Sequence, residues 1–566
     1  MTGKPRADAA LPDEGTRGDL EFGTLARLVR IAGERHADRT AIEDGAVTLT
    51  YAALAEEVER ASRALLALGV ASGDRVALWA PNIWEWIVAA LATHAAGGVV
   101  VPINTRFKAS EASYVLTRSG ARVLFTVSGF LGNDYVAMLR AGGVDLPALE
   151  HTILLRADDG APAQATSIAG ISLPAESAAQ RGLRTPLSWS DFMASAERVS
   201  AGEAKKRAET VEPSDLSDII FTSGTTGHPK GVMCTHAQSL RAFRDWSDTV
   251  GLRTGDRYLV VLPFFHTFGY KAGWLSSFMM GATVLPQAVF DVTEVLDRVG
   301  KDRVSVLPGP PLLYQSFLAR DDLASFDLTS LRLAVTGAAV IPVELIHRMR
   351  RELHIETVIT GYGLTEGTGV STMCRVGDDP ETIATTSGRA IPGVEVRCVD
   401  DAGREVTPGE PGEIVVRGYT VMRGYFGDQA ETAATIDADG FLHTGDIGVM
   451  DARGYLKITD RKKDMFIVGG FNAYPAEIES VILQHPAIAQ VAVVGAPDER
   501  LGEVGVAFVR FKTGQAQGSD ALIDWCRERM ANYKVPRRVV AVDELPMNAT
   551  GKVLKYQLRD RARGMT

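Results

Sequence analysis

An apolar run, Ile219-Ile220-Phe221, leads into Thr222-Ser223-Gly224-Thr225-Thr226-Gly227-His228-Pro229-Lys230-Gly231. The glycines free backbone N–H groups to face inward, the hydroxyls add donors, and Lys230 adds one cation, a combination that can surround phosphate. The loop is not the GxxxxGK[ST] nucleotide loop. Counted from Gly224, Lys230 falls in place, but Pro229 replaces the second glycine and Gly231 replaces the magnesium-binding hydroxyl. A hydroxyl-rich surface loop remains the alternative reading.

A second segment, Thr360-Gly361-Tyr362-Gly363-Leu364-Thr365-Glu366-Gly367, opens like a dinucleotide fingerprint. It then places Glu366 where the third glycine belongs, and a carboxylate there repels pyrophosphate unless a cation intervenes. The same residues suit a different chemistry, with Tyr362 stacking a base, Thr365 meeting phosphate and Glu366 holding Mg²⁺. A tight turn with a helix cap is the competing reading.

With Phe441-Leu442-His443-Thr444-Gly445-Asp446, Thr459-Asp460-Arg461-Lys462-Lys463 and Asn548-Ala549-Thr550-Gly551-Lys552, these segments resemble the adenylate-forming superfamily, specifically the acyl-CoA synthetases. The resemblance runs from about residue 24 to residue 562. It implies that a carboxylic acid, ATP and Mg²⁺ form an acyl-adenylate, which coenzyme A then intercepts. The Thr222–Gly231 loop is thereby assigned to the ATP phosphates, including Thr222, Ser223, Gly224, Thr225, Thr226, Gly227 and Lys230. Gly337, Ala338, Ala339, Gly361, Tyr362 and Gly363 go to the adenine pocket, with Thr365 on phosphate. Asp446 and Arg461 go to the ribose, and Glu366 with Thr225 to the metal.

Attack of a carboxylate on phosphorus joins two anions, so cationic charge and fixed orientation are the main needs. Lys552 suits the role of adenylation catalyst because a flexible ammonium can approach both anions. The resemblance also implies that a small domain pivots near Lys463 after adenylation. The pivot withdraws Lys552 and brings Gly469, Gly470 and Phe471 to a pantetheine channel.

Pro263-Phe264-Phe265-His266-Thr267-Phe268-Gly269-Tyr270-Lys271 matches the family segment between the carboxylate and the acyl pocket, with His266 either in the chemistry or gating the pocket. Phe268, Lys271, Val306, Gly337 and Met373 are its expected walls, and their apolar character favours a hydrophobic acid. The strings His266–Gly273, Leu307–Pro311 and Met373-Cys374-Arg375 are similar to actinobacterial CoA ligases that activate the bicyclic propanoate left from steroid rings C and D. In that subgroup Lys271 could meet a ring ketone, with a solvent-facing side chain as the alternative. Medium- or long-chain fatty acids, a carrier protein as acyl acceptor, and a non-catalytic nucleotide-binding relative stay open.

Positioning these motifs requires several packed units, since 566 residues exceed one hydrophobic core. Amphipathic segments such as Tyr51 to Leu68 alternate with short strands such as Arg75 to Trp79, the rhythm of helix-covered sheets. Further strands are expected at Tyr258–Leu262, Thr283–Leu285, Val304–Leu307 and Leu331–Val335, and a loose excursion over about 158–203. The fold class is α/β: a large N-terminal region of mixed sheets with a β-rich subdomain, and a small mobile α+β C-terminal domain. The expected divisions are an arm over 1–22, a large domain over 23–459 with its β-rich part at about 394–459, a hinge at 460–463, and a small domain over 464–566.

Sixty Lys and Arg against 70 Asp and Glu give −10, which gives no reason to expect nucleic acid as a partner. Four dispersed cysteines fit neither a zinc site nor a disulfide frame and suggest a reducing cytoplasm. Residues Trp86 to Asn104 lack acids, Lys and Arg, yet the Gly97-Gly98 break splits them into a buried helix and a buried strand rather than a membrane span. Oligomeric state is left open.

Overall fold

The computed structural model describes residues 17–143, 145–156, 183, 185–222, 229–337, 341–461, 464–468, 471–498, 500–530, 532–547 and 553–565. The chain forms two compact units, Met1–Glu395 with Arg417–Leu442, and Val396–Val416 with His443–Thr566.

In the first unit an eight-stranded sheet runs in the order Gly424–Tyr425, Lys230–Thr235, Leu216–Thr222, Val99–Pro102, Arg75–Trp79, Val123–Val127, His151–Leu155, Leu187–Ser188. Its central strands are parallel and buried on both faces, which explains runs such as Val99-Val100-Val101 without polar alternation. The helix Tyr51–Ala67 covers it with the expected stripe of Leu54, Val58, Ala61 and Leu65, and Thr50 caps its start by accepting a hydrogen bond from Ala53 N at 3.1 Å. The stretch of membrane-like length is indeed a helix, Trp84–Ala95, and a strand, Val99–Pro102, separated by Gly97 at φ 79°. Among the described residues no helix is long and apolar enough to cross a membrane.

Two four-stranded sheets complete the unit: Arg257–Val260, Thr283–Pro286, Thr40–Asp44 and Val47–Thr50; and Leu333–Gly337, Thr357–Tyr362, Thr372–Met373 and Arg389–Ala390. The strand expected at Val304–Leu307 is reduced to one bridging residue: Val306 pairs in parallel with Tyr258 and Leu333, with Leu259 N donating to Val306 O at 3.0 Å, Leu307 N to Leu333 O at 3.1 Å and, past Pro308, Gly309 N to Val335 O at 3.0 Å. The expected loose excursion is also partly regular. Residues 157–182 and 184 lie outside the described set, but Leu187–Ser188 forms the sheet edge and helix Trp189–Ala194 buries Phe192 and Met193.

The second unit holds most of the residues of a four-stranded sheet, Val394–Val399, Pro411–Gly418, Leu442–Met450 and Leu456–Arg461, and all of a five-stranded sheet built on the hairpin Ile488–Asp498 with Gly502–Phe511. Strand alternation sorts the hairpin's apolar residues onto two faces. Val491, Val493 and Val509 pack with Ile478 and Ile482 of helix Pro475–Ile482 and Leu522 of helix Ser519–Arg527. Ala492, Val494, Val506 and Phe508 pack with Leu558 and Ala562 of helix Lys555–Arg563. That last helix is tied down by Lys555 Nζ, 2.8 Å from Glu479. All four cysteines are free and buried.

Candidate functional site

Three adjacent strands of the first unit set out one wall. Gly337 lies opposite Gly361, and Gly361 opposite Met373, so residues far apart in sequence share one row. Side chains are excluded there by close backbone approach: a Cβ on Gly361 would stand 2.9 Å from Thr372 O. The strand ends at Tyr362, whose remaining exposure is 9%. A Cβ on the following Gly363 would lie 2.3 Å from Gly369 O, so only glycine fits this turn.

The turn continues as a single 3₁₀ turn, Thr365–Gly367, which delivers the half-buried Glu366 carboxylate to the strand Leu216–Thr222. Thr222 Oγ1 donates to Glu366 Oε1 at 3.2 Å, and Tyr425 Oη donates to the same oxygen at 3.2 Å. Burial, followed by the Glu366 charge, raises the Tyr425 pKa well above the usual phenol value, which keeps the phenol protonated as a donor. Lys230 stands on the neighbouring strand, ion-paired with Glu431, with its ammonium 5.2 Å from the Tyr425 ring centroid. Thr222, Lys230 and Glu366 are thus brought together. Tyr425 was missed; an aromatic inside Arg423-Gly424-Tyr425-Phe426-Gly427 was the available signal.

No hydrogen bond among the described residues reaches Glu366 Oε2, and no group of three or more His, Cys, Asp or Glu among them could hold a metal. A lone carboxylate with one oxygen occupied suits Mg²⁺, which takes one or two protein oxygens and completes its shell with phosphate and water.

Next to this turn, a Cβ on Gly369 would stand 2.3 Å from Thr267 Cγ2, which packs the Glu366 segment against the His266 segment. His266 is exposed, and its Nδ1 accepts from Phe268 N at 3.3 Å, so this nitrogen is tied to its own turn. Phe268 opens a π-helical stretch, Phe268–Leu275, which the sequence did not announce. Val306 and Met373 are buried, with 0% and 1% exposure.

Lys271 requires a correction. The residue expected to meet a substrate ketone has no exposed side-chain surface, and its Nζ lies 2.9 Å from Asp218 Oδ1, which is equally buried. Burial opposes the ammonium, but Asp218 and then Cys234 outweigh it and hold the lysine pKa above its ordinary value. Asp218 Oδ2 accepts from Ser217 Oγ at 2.6 Å. An acid inside the apolar strand Ser217-Asp218-Ile219-Ile220 was the overlooked sign that a buried cation must answer it.

Two buried histidines border this pair. His94 Nε2 lies 2.8 Å from Tyr270 Oη, and His236 Nδ1 accepts from Leu25 N at 3.3 Å. Burial, reinforced by Lys271, lowers His236 to about 3; burial, His236 and Lys271 push His94 well below 6.5. The unfolded chain therefore binds more protons than the folded one below pH 6.5, and stability is lost as pH falls. Between pH 7.5 and 5.5 His236 should cost on the order of 1 kcal/mol, with His94 adding a loss in the same direction. Denaturant melts across that window check this, and a flat response, or one unchanged in His236→Asn, contradicts it.

In the second unit Asp446 and Arg461 are register partners on antiparallel strands, and Asp446 N donates to Thr444 Oγ1 at 3.1 Å. Phe471 lies on the strand Phe471–Ala473. Ser223, Gly224, Thr225, Thr226, Gly227, Ala338, Ala339, Lys463, Gly469, Gly470 and Lys552 lie outside the described residues.

Comparison with known proteins extends this geometry. The family model described as AMP-binding enzyme matches residues 29–426, and that for the AMP-binding enzyme C-terminal domain matches residues 477–552. The chain is 46% identical to the 3-[(3aS,4S,7aS)-7a-methyl-1,5-dioxo-octahydro-1H-inden-4-yl]propanoyl:CoA ligase of Rhodococcus jostii (strain RHA1), over 95% of this chain and 98% of that protein. It is 48% identical to the ligase of the same description from Mycobacterium tuberculosis (strain ATCC 25618 / H37Rv), over 95% and 97%. Among solved structures, an anthranilate CoA ligase in complex with anthranoyl-AMP matches with a TM-score of 0.81 at 27% identity, covering 96% of this chain and 98% of that one. With matching family models over most of its length and a fold shared with a ligase caught holding an acyl-adenylate, the chain belongs to the AMP-binding enzyme family.

Proposed function

We infer that this chain is an AMP-forming acyl-CoA ligase using ATP, Mg²⁺ and coenzyme A, and that its acid is a keto-bearing bicyclic propanoate. The observation that supports the reading is the convergence of Thr222 and Tyr425 on Glu366 near Lys230, which puts a carboxylate beside the two described ends of the candidate phosphate loop. The choice of acid is supported by the two indanyl propanoate ligases at 46% and 48% identity.

In this reading the 222–231 loop surrounds the triphosphate, with Lys230 as its cation, and the Gly337, Gly361 and Met373 row with Tyr362 flanks adenine and the acyl group. Mg²⁺, when bound at Glu366 with Thr225, neutralises phosphate charge and orients the chain of phosphates. Asp446 accepts hydrogen bonds from the ribose hydroxyls, and Arg461 supports it from the paired strand. The acid's oxygen attacks the α-phosphorus, diphosphate leaves, and Lys552 stabilises the charge shared by the two anions. The 464–566 domain then turns about the hinge at 460–463. The thiol of coenzyme A, lined by Gly469, Gly470 and Phe471, attacks the acyl carbonyl and releases its proton to solvent, and AMP departs with the electron pair of the broken acyl C–O bond.

Because Lys271 is bound to Asp218, selection of the acid falls to the pocket's shape at His266, Phe268 and Met373 rather than to that ammonium. The expected result is that kcat/KM for the bicyclic keto propanoate exceeds that for dodecanoate by about a hundredfold or more, measured by diphosphate release. Equal or reversed values reject the substrate and leave the ligase.

A further inference from the structure

The Lys271–Asp218 pair has no place in the chemistry above, yet it joins two segments that do. Asp218 lies on the strand Leu216–Thr222 that runs into the phosphate loop, and Lys271 lies on the π-helical turn Phe268–Leu275 that follows His266. Both side chains are fully buried. A third segment joins them: Cys234 is the register partner of Asp218, and its Sγ lies 3.8 Å from Thr368 Oγ1, just beyond the Glu366 turn.

Two charges without solvent are a costly way to hold a fold, since a well-packed apolar pair of similar volume avoids their desolvation. What the pair supplies is geometry. A π-helical turn is rare and occurs mostly where function demands it. Here it is pressed against the preceding chain so tightly that a Cβ on Gly269 would stand 2.2 Å from Pro263 O. Around the ammonium lie Asp218, Cys234, His94, His236 and Tyr270, and Tyr270 stacks on Trp274 at 4.8 Å between ring centroids. In this set Asp218 is the ion-pair partner of the ammonium, with Oδ1 2.9 Å from Nζ but outside hydrogen-bond geometry.

We propose that Lys271 and Asp218 are positioning residues: their ion pair locks the π-helical turn to the strand feeding the phosphate loop, and thereby sets where Phe268 and His266 stand in the acyl pocket. The pair governs which acid is accepted and leaves ATP use largely alone. This rests on the assignment of Phe268 and His266 to that pocket.

The test compares Lys271→Met/Asp218→Asn, which removes both buried charges, with Lys271→Arg and Phe268→Ala. Thermal melting and separate KM values for acid and ATP are read in the full-length enzyme. The double variant should melt near the parent and keep KM for ATP within about twofold. Its KM for the bicyclic acid should rise at least about tenfold, with a narrowed preference over dodecanoate, because displacement of a positioned group by ~1 Å is felt at that scale. If the double variant does not fold, Lys271→Arg decides, with the same selective rise in KM for the acid expected. A folded variant with both KM values and the acid preference unchanged overturns the proposal, as does a parallel rise of both KM values. Phe268→Ala separates the two layers: an unchanged KM for the acid there removes the pocket assignment itself, whereas a responsive Phe268→Ala beside a silent pair variant overturns the pair alone.

Discussion

Lys552→Ala should lose adenylate formation by about 10²- to 10³-fold while still converting a supplied acyl-adenylate and coenzyme A to thioester within about twofold of the parent rate. The asymmetry follows from where charge accumulates. In the first half-reaction two anions meet at phosphorus, and an ammonium is worth most at that moment. In the second a neutral thioester forms and AMP leaves, a step in which the proposed reading gives Lys552 no part. Of the described residues on either side of it, Met547 and Val553 form an antiparallel bridge, and helix Lys555–Arg563 is anchored through Lys555 to Glu479. Diphosphate release and single-turnover thioester formation, measured separately, check this. Equal loss of both halves would show that Lys552 supports the domain rather than the adenylation step, and loss of neither would pass the role to another cation such as Lys230.

Glu366→Gln should lower adenylation by about 10²-fold, with a graded companion in Tyr425→Phe at about tenfold. The geometry sets the order. Glutamine keeps an acceptor for the Thr222 and Tyr425 hydroxyls but removes the charge that a divalent cation needs. Removing the Tyr425 hydroxyl leaves the charge and frees the carboxylate to turn. A readout independent of turnover is Mn²⁺ binding in the presence of a non-hydrolysable ATP analogue, followed by electron paramagnetic resonance. Weakened binding in both variants, larger in Glu366→Gln, is expected. Unchanged Mn²⁺ binding in Glu366→Gln would remove Glu366 from the metal site.

Elements whose patterns are local could be read from the sequence. Leu54, Val58, Ala61 and Leu65 mark one helix face unaided, and Gly97-Gly98 divides helix from strand without knowledge of the rest. The meeting of Thr222 with Glu366 was implicit in reading their two loops as one phosphate site, although 144 positions separate them. What stayed hidden depends on partners that only the fold supplies. Lys271 is on its face a solvated or substrate-facing cation, and only the packing of its turn against Asp218 turns it inward. Tyr425 lies in a two-residue strand, Gly424–Tyr425, paired with Met233 and Val232, and the Arg423–Gly427 string marks an aromatic between glycines without naming Glu366 as its neighbour. Val304–Leu307 has a strand's composition and does pair with both neighbouring strands, but only through the single bridging residue Val306. The π-helix at Phe268 has no periodic signature in so short a segment.

The most direct measurement is a competition: the purified protein, ATP, Mg²⁺ and limiting coenzyme A with an equimolar mixture of the bicyclic keto propanoate, octanoate and dodecanoate, the CoA products being weighed by mass spectrometry. Under competition the product ratio equals the ratio of kcat/KM values, so the bicyclic thioester should exceed each fatty acyl-CoA by about a hundredfold, with AMP formed in equal amount. A mixture dominated by fatty acyl-CoA, or one with no thioester and no diphosphate at all, would contradict the account.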